Sequence, residues 1–277
     1  MGIDEKHNSL QDILKKLGRV VVAYSGGVDS TFLLKVAVDT LGTENVLAVI
    51  GVSPSLAKSQ YKQAVKTAKD ICATLRTIEL DEMADLKFAA NRADRCFHCK
   101  SHLLRILASI AKKKNFSCVI CGNNFDDEKD FRPGNRAIKL FAARSPLAEA
   151  KLTKNDIRRL SRAMGLPTAD LPASPCLVSR INYGLEITEG RLKQIELAED
   201  FLRKLSLVEF RVRHHDTIAR IEVSPQDIEK ITTEPIRSKI VKKLKSLGFK
   251  FVTVDLQGFR SGSLNEPLSE KEKKKSL

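Results

Sequence analysis

The sequence predicts an α/β fold built on a parallel sheet, followed by a smaller α+β domain, and three observations lead there. Short apolar runs alternate with helical periodicity through the first half. A glycine-rich turn stands directly between the first strand and the first helix. After residue 171 the pattern changes to paired short strands and proline-initiated helices.

The elements follow in order. Val20-Val-Val-Ala-Tyr24 is an apolar run without polar alternation, as expected of a strand covered on both faces. Residues 31–41 predict a helix with Phe32, Leu33, Val36, Ala37 and Thr40 on one face. Strands are expected over 46–50, 75–80 and 118–121, separated by helices over 58–73 and 101–113. Strand, helix, strand at this spacing requires crossover connections, hence a parallel sheet. Leu171-Pro-Ala-Ser-Pro175 is a stiff connector in which two prolines block helix formation. Beyond it come a charged helix from 188, strands over 209–213 and 219–223, helices over 225–231 and 235–247, and a strand over 250–254. Both later helices open on a proline at a plausible first helical position. These signals divide the chain into residues 1–184, residues 185–265 and a basic flexible tail over 266–277. No repeat of solenoid spacing is present.

At 277 residues, with ordinary apolar and charged fractions, the chain can bury a sizeable core. No apolar run approaches the ~20 residues of a membrane span, and the first ten residues lack the apolar stretch of a signal peptide. A cytoplasmic protein is expected. The formal charge of +14 points to polyanionic ligands such as nucleotides, phosphorylated substrates or RNA. The absence of Trp and the presence of only three Tyr argue against base-stacking platforms, which lowers the RNA reading without removing it. In such a compartment six cysteines point to metal or sulfur chemistry rather than disulfides.

Ser25-Gly-Gly-Val-Asp-Ser30 follows the first strand and opens the first helix. Gly26 and Gly27 let the backbone approach a polyanion, and N–H groups at the helix start then point at phosphate oxygens. Ser25 and Ser30 add hydroxyls. Asp29 would repel phosphate unless Mg²⁺ bridges the two, so its presence implies a metal–pyrophosphate complex. There is no G-x-x-x-x-G-K-S/T, which excludes a kinase-type P-loop. The segment resembles the S-G-G-x-D-S signature of the PP-loop, or N-type ATP pyrophosphatase, superfamily, whose Rossmann-like domains make adenylates and release pyrophosphate. Ser53, in the turn ending the second strand, is placed at the sheet edge where adenosine would bind.

Arg95-Cys-Phe-His-Cys-Lys100 holds a C-x-x-C that could be redox active, half of a zinc site or part of an iron–sulfur site. Arg95 and Lys100 beside it favour thiolates. Cys118 and Cys121, on an apolar strand, and Cys72, expected inside a helix, read as small core residues. Cys176 lies outside any regular element, after the stiff connector and ahead of Arg180, and is a candidate nucleophile or ligand. His98, His102 and the His214-His215 pair fit no zinc hydrolase spacing.

Several segments taken together resemble one family, the LarE family of ATP-dependent sulfur transferases that mature the nickel-pincer nucleotide of lactate racemase. The matching stretches begin at residues 23–30, 95–100, 122–127 (Gly-Asn-Asn-Phe-Asp-Asp) and 144–147. They continue through 175–180 (Pro-Cys-Leu-Val-Ser-Arg), 211–214 and 255–263 (Asp-Leu-Gln-Gly-Phe-Arg-Ser-Gly-Ser). Cys121 ahead of Gly122, and Asn124 with Phe125 after it, depart from the usual pattern beside the adenine pocket. The resemblance implies a pyridinium mononucleotide substrate whose carboxylate is adenylylated with Mg²⁺–ATP and converted to a thiocarboxylate. Asp29 and residues 25–30 would position the nucleotide, with Gly122 beside it, while Arg211, Arg213 and Arg260 would hold the substrate phosphate. The family has two versions. In one, Cys176 gives up its own sulfur. In the other, Cys96, Cys99 and Cys176 hold a 4Fe-4S cluster whose open iron carries an external sulfide. All three cysteines are present, which favours the cluster. The resemblance also implies a homo-oligomer.

Three other readings share some of these features. A PP-loop tRNA thiolase would need an RNA-binding module that the C-terminal domain does not obviously supply. An amide-forming synthetase of the NAD-synthetase type leaves the C-x-x-C and Cys176 without a role. A zinc-bound nucleotide sensor would bind ATP without releasing pyrophosphate.

Overall fold

The computed structural model describes residues 2–128, 131–172 and 174–276. The chain runs α1 (Ile3–Leu17), β1 (Val20–Ala23), α2 (Val28–Leu41), β2 (Val46–Val52), α3 (Lys58–Asp70), β3 (Thr74–Glu79), α4 (Leu86–Ala89), α5 (Arg95–Lys113) and β4 (Cys118–Cys121). It continues through α6 (Asn135–Leu140), α7 (Pro146–Glu149), α8 (Lys154–Ala163), α9 (Glu189–Arg203), β5 (Phe210–His215) and β6 (Ile218–Val223). The last elements are α10 (Ile228–Thr232), α11 (Ile236–Ser246), β7 (Phe251–Val254) and α12 (Glu270–Ser276).

Two compact units emerge. The first comprises Met1–Glu82 and Cys96–Ser174, with the last two residues of the chain; the second comprises Met83–Arg95 and Pro175–Lys275. The division thus falls ten residues before the expected boundary at 184, and it assigns a stretch of the first half to the second unit. Asn91 shows why. Its side chain donates to the carbonyls of Asn182 and Leu185, both at 2.8 Å, and Ile187 N donates to Ala89 O at 2.8 Å.

In the first unit four parallel strands stand in the order β3-β2-β1-β4. Successive β1 side chains supply two cores: Val20 and Val22 pack with Phe32, Leu33 and Val36 of α2, while Val21 packs with Leu104 and Leu107 of α5. That explains the unbroken apolar run, because both faces are covered. Cys118 and Cys121 point to opposite cores, as expected three residues apart on a strand. Cys72 departs from expectation. Helix α3 ends at Asp70, and Cys72 is an exposed residue at φ 60° in the chain reversal that follows.

The second unit carries an antiparallel β5–β6 pair extended by a parallel β7, covered by α9, α10 and α11 around Val212, Ile221, Leu202, Ile240 and Leu244. Pro225 opens a 3-10 turn rather than an α-helix, and Pro235 caps α11 instead of starting it. The expected basic tail contains α12, whose Ser269 and Glu272 exchange the reciprocal bonds of a capping box.

Candidate functional site

The strand order fixes where a ligand can sit. From β1 the chain moves outward to β2 and β3, and β4 returns on the other side of β1, so the order reverses between β1 and β4. Open α/β sheets bind ligands at such a reversal, beyond the carboxyl ends of the strands. The loops leaving those two ends are residues 24–27 and 122–127.

The first of these is the glycine turn. Helix α2 starts at Val28, three residues earlier than expected, with Gly27 as its N-cap, so Asp29 and Ser30 lie in its first turn. The first-turn N–H groups of a helix lack intrahelical partners and carry the positive end of its dipole. The turn is braced from within: Ser25 and Ser30 hydroxyls meet at 3.0 Å, and Ser30 Oγ donates to Gly27 O at 3.2 Å. Gly26 adopts φ +73°, and a Cβ there would stand 2.4 Å from Ala64 Cβ on α3. Gly122, after β4, presses on the same turn, since a Cβ would lie 2.9 Å from Ser30 N. The structure therefore brings Ser25, Gly26, Gly27, Asp29, Ser30 and Gly122 together at the strand-order reversal. Asn124 is a turn residue: its Oδ1 accepts from Asp126 N, and its own N–H donates to Asp127 Oδ2.

Asp29 already faces a cation. Lys154 Nζ donates to both of its carboxylate oxygens, at 2.9 and 2.8 Å. Thr153 and Asp156 form the capping box that opens α8 and sets Lys154 as its first residue. That Thr-x-x-Asp pattern is the signal from which the sequence could have placed Lys154, which was missed. A half-buried carboxylate at a phosphate loop fits Mg²⁺, which takes one or two carboxylates and completes its shell with phosphate oxygens and water. Asp127 lies within electrostatic reach of Asp29 and Lys154 and is ion-paired to Arg132 at 2.8 Å; burial, first among its causes, raises its pKa.

Ser53 belongs to a different network. Its hydroxyl donates to Glu82 Oε1 at 2.7 Å and meets Ser55 Oγ at 2.8 Å. Glu82 is 2 % exposed, and its other oxygen accepts from the Cys99 thiol at 2.9 Å. Nothing in the sequence pairs residues 53 and 82, so this carboxylate was not foreseen.

The C-x-x-C lies on helix rather than ahead of one: α5 starts at Arg95, which puts exposed Cys96 and half-buried Cys99 one turn apart on one face. Cys176 is exposed in the second unit as the N-cap of a 3-10 turn over Leu177–Arg180. Its carbonyl accepts from Ser179 Oγ at 2.8 Å and from Arg180 Nη1 at 3.1 Å. None of the six cysteines is in a disulfide. Thiolates are the right donors for iron–sulfur chemistry. Among the described residues, however, no group of three or more His, Cys, Asp or Glu side chains stands in position to hold a metal ion. The donor chemistry of a 4Fe-4S cluster is present, with Cys96 and Cys99 in the first unit and Cys176 in the second.

The three arginines differ in what they already hold. Arg211 and Arg213 project from one face of β5, away from Val212 and the core. Arg211 lies over the Phe259 ring, 4.9 Å from its centroid, and donates to Phe210 O at 2.6 Å; burial pulls its pKa down to about 10. Arg213 is buried, paired with Glu222 at 2.7 Å, and donates to Ser179 O and Ser263 Oγ. Arg260, one residue beyond Phe259, is partly exposed and paired with Glu266 at 2.9 Å.

No helix among the described residues is long and apolar enough to cross a membrane. Residues 3–123 match the NAD synthase family model, a stretch that carries the glycine turn and ends just after β4. The chain is 40% identical over 267 residues to an uncharacterized protein of Synechocystis, covering 96% of this chain and 99% of that one. It is 37% identical over 264 residues to the pyridinium-3,5-bisthiocarboxylic acid mononucleotide synthase of Lactiplantibacillus plantarum, covering 95% of each. An ammonia-dependent NAD+ synthetase of Fusobacterium nucleatum is more distant, 26% identical over 63% of this chain and 70% of its own. A likeness of this identity that runs nearly end to end places the chain in the LarE family of ATP-dependent sulfur transferases, within the PP-loop superfamily.

Proposed function

We propose that this protein adenylylates a carboxylate of pyridinium-3,5-dicarboxylate mononucleotide and replaces one of its oxygens with sulfur. The observation that carries the reading is the end-to-end likeness to the bisthiocarboxylate mononucleotide synthase. The N–H groups of the turn over residues 25–30 receive the pyrophosphate portion of ATP, and Asp29 orients its Mg²⁺. A carboxylate oxygen of the substrate attacks the α-phosphorus, the bond to the β-phosphate breaks, and pyrophosphate leaves. The mixed anhydride supplies a leaving group that a free carboxylate lacks. A sulfur nucleophile then attacks the carbonyl carbon and AMP departs.

Arg211, which stacks on Phe259, and Arg260, the residue after it, hold the substrate phosphate, since guanidinium forks suit phosphate oxygens. Arg213, committed to Glu222 and Ser263, supports the face from which Arg211 projects. Cys96, Cys99 and Cys176 are the thiols through which a 4Fe-4S cluster would be held, and such a cluster supplies an iron open to external sulfide. The chain is expected to act as a homo-oligomer in the cytoplasm.

The test is iron and acid-labile sulfide content after anaerobic reconstitution, read beside acceptor-dependent pyrophosphate release and the intact mass. About four irons per chain, lost in Cys96→Ala, support the cluster. No iron, with the mass of hydrogen sulfide lost from Cys176 after one turnover, assigns the sulfur to Cys176 itself. Pyrophosphate release driven by tRNA and not by the mononucleotide overturns the substrate assignment.

A further inference from the structure

Strand β3 closes the parallel sheet on one side and leaves its own outer edge open. It pairs with β2, and no strand among the described residues takes its other edge. None of its six residues is buried, although strands of a parallel sheet are normally covered on both faces. Its side chains alternate between two helices. Leu75 packs on the α3 side, where Tyr61 Oη and Thr77 Oγ1 meet at 3.1 Å, while Ile78 packs against the core of Leu104 and Leu107 on the α5 side. An edge of this kind offers a row of unused N–H and C=O groups to any extended chain that reaches it.

On the α5 side lies a groove of about 410 Å³. Ile78 and Ile106 give it apolar surface, and Arg76, Arg105, Lys113 and Lys114 stand along it. All four cations are exposed and none makes an ion pair among the described residues. No carboxylate lines the groove. On the other side of the strand α3 carries Lys62, Lys66 and Lys69, all exposed, at spacings that keep them on one face. The strand's own carboxylate is Glu79, its last residue.

Cations beside an open edge discourage one use of it and favour another. A second copy of this chain pairing edge to edge would bring the same groups face to face, and like charges across a strand pair are destabilising. Single-stranded nucleic acid suits the charge, but no aromatic side chain lines the groove to receive a base. An extended peptide rich in carboxylates matches all three features together. Its main chain continues the sheet, its aliphatic side chains enter the groove, and its acidic side chains meet the lysines and arginines on either side.

We propose that β3 is a docking edge for a partner protein, which adds an acidic extended segment to the sheet as a further strand. The site stands apart from the proposed reaction, since none of its residues belongs to the loops after β1 and β4.

The experiment uses the full chain and a fluorescein-labelled peptide in which Ile and Val alternate with Asp and Glu. Anisotropy titrations compare it with a scrambled peptide of the same composition. Two further peptides are N-methylated, one at its acidic residues and one at its aliphatic residues, which blocks one strand edge or the other. The alternating peptide is expected to bind at least tenfold more tightly than the scrambled one. One methylated peptide should lose at least tenfold and the other keep most of its affinity. Amide hydrogen exchange over residues 74–79 should slow when the peptide is bound. Arg76→Glu with Lys113→Glu should weaken binding at least tenfold, whereas Lys242→Glu with Lys245→Glu, the same charge change on α11, should leave it nearly unchanged. Equal affinity for alternating and scrambled peptides, or for the two methylated ones, reduces the site to charge attraction and overturns the proposal. An oligouridylate that displaces the peptide and binds more tightly overturns it in favour of RNA. Slow exchange at 74–79 without peptide, relieved by dilution, overturns it in favour of a second copy. The peptide comparisons need no variant, so they decide the matter even where the double variant does not fold.

Discussion

Arg180 holds Glu199 through both carboxylate oxygens, Nε to Oε1 at 3.0 Å and Nη2 to Oε2 at 3.1 Å, with both side chains almost fully buried. The remaining guanidinium nitrogen reaches back to the carbonyls of Pro175 and Cys176, at 2.5 and 3.1 Å. Glu199 also accepts from the backbone N–H of Val212 at 3.1 Å. One buried carboxylate on α9 thereby ties the cysteine turn to the strand that bears Arg211 and Arg213.

Glu199→Ala should therefore destabilise the protein by about 3–5 kcal/mol, because it strands a buried guanidinium. The paired change Arg180→Met with Glu199→Leu should cost less than Glu199→Ala alone. Urea unfolding of the single and double variants checks both statements. A double variant no more stable than Glu199→Ala would show that the ion pair does not set the cost.

Gly122→Ala places a methyl against Ser30 backbone that cannot yield as a side chain would. The expected result is at least tenfold weaker ATP binding, equivalent to about 1.4 kcal/mol. Gly165→Ala is the control, also a backbone glycine but with nothing within 4 Å of its Cβ position, and its ATP affinity should not change. Calorimetric titration with ATP separates the two.

Lys154 and a metal ion compete for one carboxylate. Lys154→Met should raise the affinity of the nucleotide-free protein for Mn²⁺ several-fold, since Asp29 loses its resident cation. Asp29→Asn should abolish that binding. Electron paramagnetic resonance of free Mn²⁺ reads both, and equal affinities in wild type and Lys154→Met would remove Asp29 as the ligand.

His214 is buried between Gln194 and Phe249, its Nε2 2.9 Å from Gln194 Oε1. Burial first, and then the Arg191 charge, lower its pKa from 6.5 to about 4. The folded state thus resists a proton that the unfolded chain accepts. Stability is complete above pH 6.5 and falls as pH drops from 6.5 toward 4, by up to about 1 kcal/mol per pH unit. His214→Gln should flatten that slope in thermal melts recorded across the window.

The strands and the phosphate turn were legible because their signals are local. An apolar run covered on both faces reads as itself, and a glycine turn between strand and helix needs no distant partner. Helices α1 and α8 were missed for the converse reason. Their sequences are mostly polar and each buries little, Leu10 and Leu14 in one and Ile157 and Ser161 in the other. Cys72 was misplaced because the residue in the left-handed position after a helix is usually glycine, and here it is not. Glu82, Glu199 and Glu222 look like any surface glutamate in sequence. Their partners lie across the fold, and only folding turns them into the buried carboxylates around the cysteines and arginines.

The assignment of Met83–Arg95 to the second unit bears on how the chain is made. On a ribosome Asn91 emerges 91 residues before Asn182 and 94 before Leu185, the carbonyls to which its amide donates. At about 5–20 residues per second that is a wait of roughly 5–20 s. The nucleotide sheet can close during the interval, since β4 is already out, but the nascent second unit holds an unsatisfied asparagine until synthesis is two-thirds done. A gene fragment starting at Pro175 would omit that asparagine altogether, so the second unit calls for co-expression with the 83–95 segment rather than simple truncation.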